Sequence, residues 1–361
     1  MVLYVPMREI IGFSRCAGSP GPAADERTPA CRGPVREPWK SALREAVRDP
    51  DELVDLLGLP EAIREGARRA AARFPLLVPR GFVARMRPGD PADPLLRQIL
   101  PLPEEDAVTE GDLRDPVGDA EATIAPGLIR KYAGRVLLVS AGSCAVHCRY
   151  CFRRHFPYHE APRGLAAWKP ALERIAADSS LTEVILSGGD PLILGDEALE
   201  GLVESLAAVP HLERLRLHTR LPVVIPERVT DRLVRLLRTV RLTPVVVVHV
   251  NHPAELEGSC PGALERFVNA GILVLNQAVL LRGVNDDPET LVRLSDKLVR
   301  LRILPYYLHR LDRVEGAAHF AVSEARGLEI VAEMEGRLPG YAVPRYVKEV
   351  PGAPGKVVIR P

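Results

Sequence analysis

Three cysteines, Cys144, Cys148 and Cys151, occupy one short segment of the chain. Sulfur is a soft ligand, and closely spaced thiolates in proteins hold zinc or iron-sulfur clusters. A structural zinc site needs a fourth ligand, for which His147 and His155 are the nearby candidates. A cubane held by three thiolates instead leaves one iron open to an external ligand. We favour the cluster, because a histidine inside so tight a loop would have to fold back on the metal that it flanks.

From residue 135 onward, short runs rich in Val, Ile and Leu alternate with longer amphipathic stretches. The predicted strands are RVLLVS at 135, EVILSG at 183, RLRLHT at 214, PVVVVHV at 244, GILVLNQAV at 271 and RILPYYLH at 302. The predicted helices cover 168–178, 196–208, 227–239, 261–270, 287–301 and 322–337. Six strand-then-helix units predict parallel strands with right-handed crossovers, so the expected fold class is α/β, a partial (β/α)6 barrel.

Polar residues follow the carboxyl ends of these predicted strands, where parallel barrels carry their chemistry. The cysteine segment follows the first strand, and the sequence SGGDP at 187–191 follows the second. The residues that follow the other four strands are His218 to Arg220, Asn251 with His252, Gln277 and Asp312. The sequence therefore predicts one polar rim that gathers side chains from all six strands.

The remaining segments differ in composition from the barrel. Residues 1–38 are rich in Gly, Pro, Ala and Arg, which predicts a disordered extension. Residues 39–128 predict a helical and loop segment packed on the barrel, with two or three short helices between 39 and 74. The barrel is expected over 129–338. Residues 339–361 are too Pro-rich for a helix and predict an extended C-terminal segment.

Composition limits the class of protein. The formal net charge is +1 with 26% charged residues, which argues against a general binder of nucleic acid or of membrane surfaces. No uncharged apolar run of eighteen residues and no basic-then-apolar N-terminus occur, so a cytoplasmic protein is expected. Six cysteines, three of them scattered at 16, 31 and 260, predict no disulfide framework.

The cysteine spacing C-x3-C-x2-C, with the aromatic residue Tyr150 directly before the third cysteine, resembles the radical S-adenosylmethionine enzymes. The resemblance implies a 4Fe-4S cluster on Cys144, Cys148 and Cys151. It also implies that the open iron binds the amino and carboxylate groups of S-adenosylmethionine, with Tyr150 against the adenine. The cofactor then supplies the radical chemistry, while the protein orients the reactants and excludes water.

The segment SGGDPL resembles the glycine-rich element with which the same enzymes bind the methionine amino group. The resemblance assigns Ser187, Gly188, Gly189 and Asp190 to the S-adenosylmethionine site. The two glycines would allow a close approach of the backbone, and Asp190 or backbone carbonyls would accept hydrogen bonds from an ammonium.

Longer matches extend the resemblance to the lysine 2,3-aminomutase family over nearly all of 39–361. They are KYAGRVLLV at 131, LSGGDPL at 186, RLPVVIPERV at 220, VNHPAELEG at 250, NQAVLLRGVNDDPE at 276, YYLHRLDRVEGAAHF at 306 and PGAPGK at 351. These enzymes also use pyridoxal 5'-phosphate, held as a Schiff base by a lysine in a glycine-rich C-terminal loop. The matching residue is Lys356, and Lys131, Tyr132 and Arg135 match the positions that anchor this cofactor.

Three further residues match the substrate-binding positions of the family. Arg153 corresponds to the arginine that pairs with the substrate carboxylate, a task that suits its bidentate geometry. Asp312 and Glu349 match the acidic pair that binds the distal ammonium of lysine. Position 349 is Asp in free-lysine aminomutases, and the extra methylene of Glu349 moves the carboxylate.

The variant CRYCFRRHFPY, Glu349 and the early end of the chain after Lys356 resemble the branch that serves elongation factor P. The resemblance implies conversion of lysine to (R)-β-lysine, a lysyl-type ligase that attaches it to elongation factor P, and a reductant such as flavodoxin or ferredoxin. Three alternatives stay open: an aminomutase of free lysine or glutamate, a pyridoxal-free radical enzyme that modifies RNA or protein, and a non-catalytic iron-sulfur or zinc module.

Overall fold

A single ten-stranded sheet organises the protein, whose computed structural model describes residues 37–107 and 109–360. The strands are β1 (Thr123–Ala125), β2 (Leu128–Tyr132), β3 (Arg135–Ala141), β4 (Glu183–Gly188), β5 (Arg214–Thr219), β6 (Thr243–Val248), β7 (Leu273–Leu280), β8 (Leu304–Arg310), β9 (Arg345–Lys348) and β10 (Val357–Val358). Neighbours in the chain are neighbours in the sheet, and β3 to β9 run parallel. The predicted α/β class with a partial parallel barrel is confirmed, and β3 to β8 are the six predicted strands.

Four strands lie outside the sequence prediction. The antiparallel pairs β1·β2 and β2·β3 extend one side of the sheet, and β9 and β10 extend the other. Strand β2 reads LIRKY and β9 reads RYVK, so neither shows the apolar run or alternation that predicts a strand. Neighbouring strands supply their pairing, as in the hairpin where Tyr132 pairs with Arg135 across Gly134, which has φ of +73°.

Helices cover the sheet and the N-terminal part of the chain. They are α1 (Pro38–Arg44), α2 (Pro50–Leu57), α3 (Ile63–Arg73), α4 (Arg80–Val83), α5 (Pro94–Arg97), α6 (Gly164–Ala177), α7 (Asp196–Ala207), α8 (Leu221–Val224), α9 (Asp231–Thr239), α10 (Cys260–Asn269), α11 (Pro288–Arg300) and α12 (Glu324–Glu335). Asp49, Asp287 and Ser323 cap α2, α11 and α12 by accepting backbone N–H groups of the first turn. Among the described helices, none combines the length and apolar character that crossing a bilayer requires.

The N-terminal helices share one hydrophobic core with the barrel. Trp39 and Phe82 belong to the same buried cluster as Trp168 of α6. The indole of Trp39 also stacks on the guanidinium of Arg228, at 4.8 Å, and this buried arginine pairs with Asp196 at the start of α7. The domain limits at 38, 128 and 338 stay a prediction, and the extension predicted for 1–38 falls outside the described residues except for its last two.

The C-terminal segment returns to the edge of the sheet. Strand β10 consists of two residues, Val357 and Val358, which pair with β9 and are exposed. Ile359 is buried and donates its backbone N–H to the carbonyl of Tyr346 at 2.9 Å. This pairing holds Lys356, the residue directly before β10, at the rim where the parallel strands end.

Candidate active site

One cavity of about 370 Å³ opens at the carboxyl ends of the parallel strands. Every site residue assigned from the sequence lines it: Cys144, Cys148, Cys151, Tyr150, Ser187, Gly188, Gly189, Asp190, Lys131, Tyr132, Arg135, Arg153, Asp312, Glu349 and Lys356. The strand-end residues His218 and Gln277 line the same cavity. The structure therefore brings together side chains that are separated by more than two hundred residues in the chain.

Buried ion pairs fix the cysteine loop to the N-terminal segment. Glu105 accepts two hydrogen bonds from Arg149, at 2.7 and 2.6 Å, and one from Arg154 at 2.6 Å. Arg149 also donates to the carbonyl of Phe74, and Arg154 to that of Gly316. Because these arginines are buried, their partners restrict the loop to one conformation.

The three thiols of the loop face the cavity and are partly buried. Burial, with Asp190 nearby, raises the pKa of the Cys144 thiol well above its usual range. Burial and the neighbouring Cys148 raise the pKa of Cys151 to about 11. A bound metal reverses this preference, since thiols that coordinate a metal are deprotonated. Three soft donors in one wall thus fit an iron-sulfur cluster.

Neither histidine considered as a zinc ligand lines the cavity that the three cysteines face. The Nδ1 atom of His147 lies 2.8 Å from the carbonyl of Pro75, and its ring stacks on Phe74. The Nε2 atom of His155 lies 3.2 Å from the carbonyl of Glu315. In residues 37–107 and 109–360, no three His, Cys, Asp or Glu side chains are grouped so that they could hold a single metal ion.

The glycine loop after β4 packs against the start of the cysteine loop. Gly188 has φ of +116°, a conformation that favours glycine. A Cβ atom on Gly189 would lie 2.0 Å from the carbonyl oxygen of Ser143, so only glycine fits there. Backbone hydrogen bonds of 2.8 Å from Gly189 to Ala141 and from Asp190 to Ser143 join the loops. The glycines thus allow two backbone segments to pack closely at this wall of the cavity, and their role in binding S-adenosylmethionine stays a prediction.

The side chain of Asp190 has a different task from the one that the resemblance allowed. One carboxylate oxygen accepts hydrogen bonds from Leu192 N and Thr219 Oγ1, and the other from Arg220 N and Leu221 N, all between 2.7 and 3.0 Å. Four bonds fill the acceptor sites of a carboxylate. Asp190 thus joins the end of β4 to that of β5, and its place in the S-adenosylmethionine site stays a prediction.

A line of alternating charges runs along one wall of the cavity. Arg153 donates to Asp119 at 2.6 Å, and the second oxygen of Asp119 lies 2.7 Å from Lys131 Nζ. Lys131 is 3.9 Å from Glu349, which accepts a hydrogen bond of 2.8 Å from Lys356. Arg153 and Glu349, two of the three predicted substrate residues, are therefore linked through Asp119 and Lys131.

Asp119 is a residue that the sequence did not reveal. Its side chain is 2% exposed. Burial opposes its ionisation, but the Arg153 and Lys131 cations outweigh burial and hold its pKa below the usual range. The same balance, with Lys356 as the main cation, lowers the pKa of Glu349. Both carboxylates are thus charged at neutral pH and fix the positions of their cationic partners.

The three residues predicted to anchor the pyridoxal cofactor lie beside this line. Lys131 donates to the carbonyl of Val117 at 2.8 Å and forms an ion pair with Asp119. The hydroxyl of Tyr132 donates to Glu349, and the guanidinium of Arg135 stacks on the Tyr132 ring at 4.7 Å. The amine of Lys356 and these nearby cations fit an aldehyde cofactor that carries a phosphate. Their roles as anchors stay a prediction.

Three histidines and a glutamine contribute buried polar atoms without a partner among the described residues. They are the Nε2 atoms of His218, His249 and His309 and the Oε1 atom of Gln277. Burial lowers the pKa of His249 to about 4 and those of His218 and His309 well below their usual range, so the rings are neutral. Unpaired buried polar atoms around a cavity indicate a ligand that completes their hydrogen bonds.

No family model matches the chain. It is 44% identical over 320 residues to the L-lysine 2,3-aminomutase of Haemophilus influenzae, covering 89% of this chain and 95% of the relative. The Escherichia coli L-lysine 2,3-aminomutase is 45% identical over 324 residues, covering 90% and 94%. The Clostridium subterminale L-lysine 2,3-aminomutase is 33% identical over 325 residues, covering 90% and 78%.

Solved structures overlap with the chain less extensively. The crystal structure of Streptococcus suis SuiB bound to S-adenosylmethionine has a TM-score of 0.44 and 14% identity, covering 61% of this chain and 51% of that chain. The L-lysine 2,3-aminomutases described above match far more of this chain. At 44% identity over almost their whole length, they show that it belongs to the L-lysine 2,3-aminomutase family.

Proposed function

We propose that the protein is a radical S-adenosylmethionine and pyridoxal phosphate-dependent lysine 2,3-aminomutase that makes (R)-β-lysine for attachment to elongation factor P. The observation that carries the proposal is the pair of carboxylates Asp312 and Glu349 in the cavity that also holds Arg153 and Lys356. An α-amino acid with a distal ammonium has charges that complement Arg153 and this pair. Glutamate would bring a third carboxylate to the pair and be repelled.

The side chains of the cavity divide the tasks of binding. Arg153, held by Asp119, would take the α-carboxylate of lysine, and Asp312 with Glu349 would take the distal ammonium. When bound, the cluster with S-adenosylmethionine supplies a hydrogen-abstracting radical, and pyridoxal phosphate supplies stabilisation for the migrating nitrogen. Lys356 would hold the pyridoxal group. The neutral histidines and the buried walls would exclude water around the reacting carbons.

Attachment of the cofactor changes the partner of Glu349. The Lys356 ammonium donates a hydrogen bond of 2.8 Å to this carboxylate. If Lys356 held the pyridoxal group, its Nζ atom would no longer be a free ammonium for Glu349. Glu349 would then be left for the ammonium of the substrate, next to Asp312.

The link to elongation factor P rests on the CRYCFRRHFPY variant and on Glu349 in place of aspartate. Under this proposal, a lysyl-type ligase consumes the β-lysine, and a one-electron carrier such as flavodoxin or ferredoxin reduces the cluster in the cytoplasm. The second candidate function is an aminomutase whose substrate is glutamate. The two carboxylates in the cavity oppose it.

The proposal is tested with reconstituted protein under anaerobic conditions. Reduced protein that holds iron, sulfide, S-adenosylmethionine and pyridoxal phosphate is incubated with lysine, and the products are separated by chirality and identified by mass. We expect (R)-β-lysine, no product from glutamate, and transfer of the β-lysine to elongation factor P when the ligase is added. Turnover of glutamate with inert lysine would overturn the choice of substrate, and product that the ligase refuses would overturn the link to elongation factor P.

The decrease of kcat/KM for lysine at low pH, the acid limb of the pH profile, should report the protonation of Asp312. Burial is the main cause that raises the pKa of Asp312 to about 6, a net value in which Glu349 adds to burial and the Lys356, Lys131 and Arg310 cations oppose it. Protonated Asp312 cannot pair with an ammonium, so kcat/KM for lysine should fall about tenfold per pH unit below this pKa, since kcat/KM reports groups of the free enzyme. A weaker positive charge on Lys356 would move the limb above pH 6, because this cation lowers the pKa of Asp312.

The variant Asp312→Asn separates this group from other acids. We expect it to lower kcat/KM at pH 8 about tenfold or more, because one charged partner of the ammonium is lost. We also expect its acid limb near pH 6 to disappear. An unchanged limb in the variant would assign the pH dependence to another group and remove Asp312 from the substrate site.

A further inference from the structure

A buried arginine of the predicted polar rim, to which no role has been assigned above, contacts the cysteine loop. Arg220 follows β5 and is 5% exposed. Its Nη1 atom donates to the Sγ atom of Cys148 at 2.7 Å and to the hydroxyl of Tyr150 at 2.8 Å. Arg220 therefore places a positive charge directly on a sulfur that, under the proposed function, coordinates iron.

The opposite side of the same guanidinium is held by two residues of other segments. Its Nη2 atom donates to Glu255 at 2.8 Å and to Gln98 at 2.7 Å. Glu255 is fully buried in the turn after β6, and Gln98 is fully buried next to α5. The guanidinium is thus oriented with one edge toward the cysteine and the other toward a carboxylate.

The acceptors of Arg220 are themselves fixed. Glu255 accepts backbone N–H groups from Asn251 and His252, at 2.9 and 3.1 Å, through its other oxygen. The Asn251 side chain donates to Gln98 at 3.0 Å and to the Tyr150 hydroxyl at 2.6 Å. Because each member has several partners, the network holds Arg220 in place before any cofactor arrives.

This arrangement has an electrostatic consequence for a cluster at the cysteines. A hydrogen bond from a cation to a ligating sulfur stabilises the more negative, reduced state, and the potentials of iron-sulfur clusters depend on such bonds. Low dielectric surroundings strengthen the effect. Glu255 opposes it from the far edge of the guanidinium.

We propose that Arg220 is a positioning residue that raises the reduction potential of the cluster through Cys148, with Glu255 limiting the size of this effect. The inference rests on the proposed cluster and not on the choice of substrate. The step concerned is the transfer of one electron from an external one-electron reductant to the cluster. Arg220 exchanges no atoms in it.

The experiment is a redox titration of the reconstituted protein, followed by electron paramagnetic resonance, without substrate. We expect the Arg220→Gln variant to have a lower midpoint potential than the wild type. At the wild-type midpoint, the ratio of reduced to oxidised cluster should fall about tenfold, which corresponds to about 59 mV for one electron. Arg220→Lys keeps the positive charge but loses the branched guanidinium, so its midpoint potential should decrease less. This variant replaces Arg220→Gln in the titration if the glutamine variant binds too little iron.

The variant Glu255→Gln should shift the midpoint potential in the opposite direction. It removes the countercharge while leaving an oxygen that can accept from Arg220, so the midpoint should rise. If the substitutions only loosened the cysteine loop, the midpoint potentials of Arg220→Gln and Glu255→Gln would shift in the same direction. Arg228→Gln, which breaks a buried ion pair with Asp196, controls for loss of a buried arginine and should leave the midpoint unchanged.

The outcomes separate this inference from the proposed function. A wild-type protein that binds no cluster would overturn both. A wild-type cluster with equal midpoints in the Arg220 variants, or shifts of the same sign in Arg220→Gln and Glu255→Gln, would overturn the role of Arg220 alone. Shifts of opposite sign would support it whichever amino acid the enzyme isomerises.

Discussion

Replacement of Cys148 by alanine is expected to remove the cluster and to lower aminomutase turnover by more than about a thousandfold, because the radical chemistry belongs to the cofactor. Two thiols would remain, Cys144 and Cys151, and they would leave a second iron without a protein ligand. Iron and sulfide analysis and the absorbance of the reconstituted protein measure the first effect. Anaerobic assays with lysine measure the second.

Cys260 supplies the matched control. It is fully buried at the start of α10 and does not line the cavity. Burial raises the pKa of its thiol to about 12. Cys260→Ala should leave the iron content and the turnover unchanged, with a loss of stability of about 1 kcal/mol from the small cavity that it creates. A Cys148→Ala protein that kept a full cluster would show that the three-cysteine segment is not the iron site.

The Lys356→Ala variant is expected to lose covalent pyridoxal phosphate, with turnover at least about a thousandfold below the wild type, because positioning of the cofactor by its own lysine is lost. Borohydride reduction followed by mass analysis of the C-terminal peptide should find the pyridoxyl adduct on position 356 in the wild type and nowhere in the variant. Glu349 would also lose the Lys356 ammonium at 2.8 Å and would keep the hydrogen bond from the Tyr132 hydroxyl.

Lys348 offers a control in the same segment. It lies in β9 and pairs with Glu324 at 2.9 Å, near the surface. Lys348→Ala should keep the adduct and nearly full activity, since partly exposed ion pairs contribute little. Full activity of Lys356→Ala without the adduct would favour instead a pyridoxal-free radical enzyme.

The sequence predicts best the parts of the site in which chemistry dictates the residue type. Only cysteines supply thiolates, and their spacing must let them share one cluster. The three cluster ligands can therefore be predicted from the sequence alone. Gly189 is predicted from the resemblance of the SGGDPL segment, and the structure supplies a physical reason for glycine there, because a side chain would collide with Ser143. The parallel strands are also predictable, since strands buried on both faces read as apolar runs.

Residues that support the site from a distance leave no such pattern. Asp119 and Arg153 are 34 positions apart, and Gln98 and Arg220 are 122 apart. A single Asp in an acidic loop looks like a surface residue until the fold brings two cations to it. The same applies to Asp190, whose carboxylate proved to be filled by the end of the next strand. Such contacts depend on tertiary structure, which local sequence does not contain.

The short strand β10 has a consequence for the motion of Lys356. Only two exposed residues pair it with β9, with Ile359 as a buried anchor beyond them. Segments with few buried contacts open at free energies far below that of global unfolding. Native-state hydrogen exchange should therefore find the amides of β10 exchanging through a local opening while those of β6 exchange only on global unfolding. The lysine at the rim could then swing away from the cavity and return without any loss of structure in the barrel.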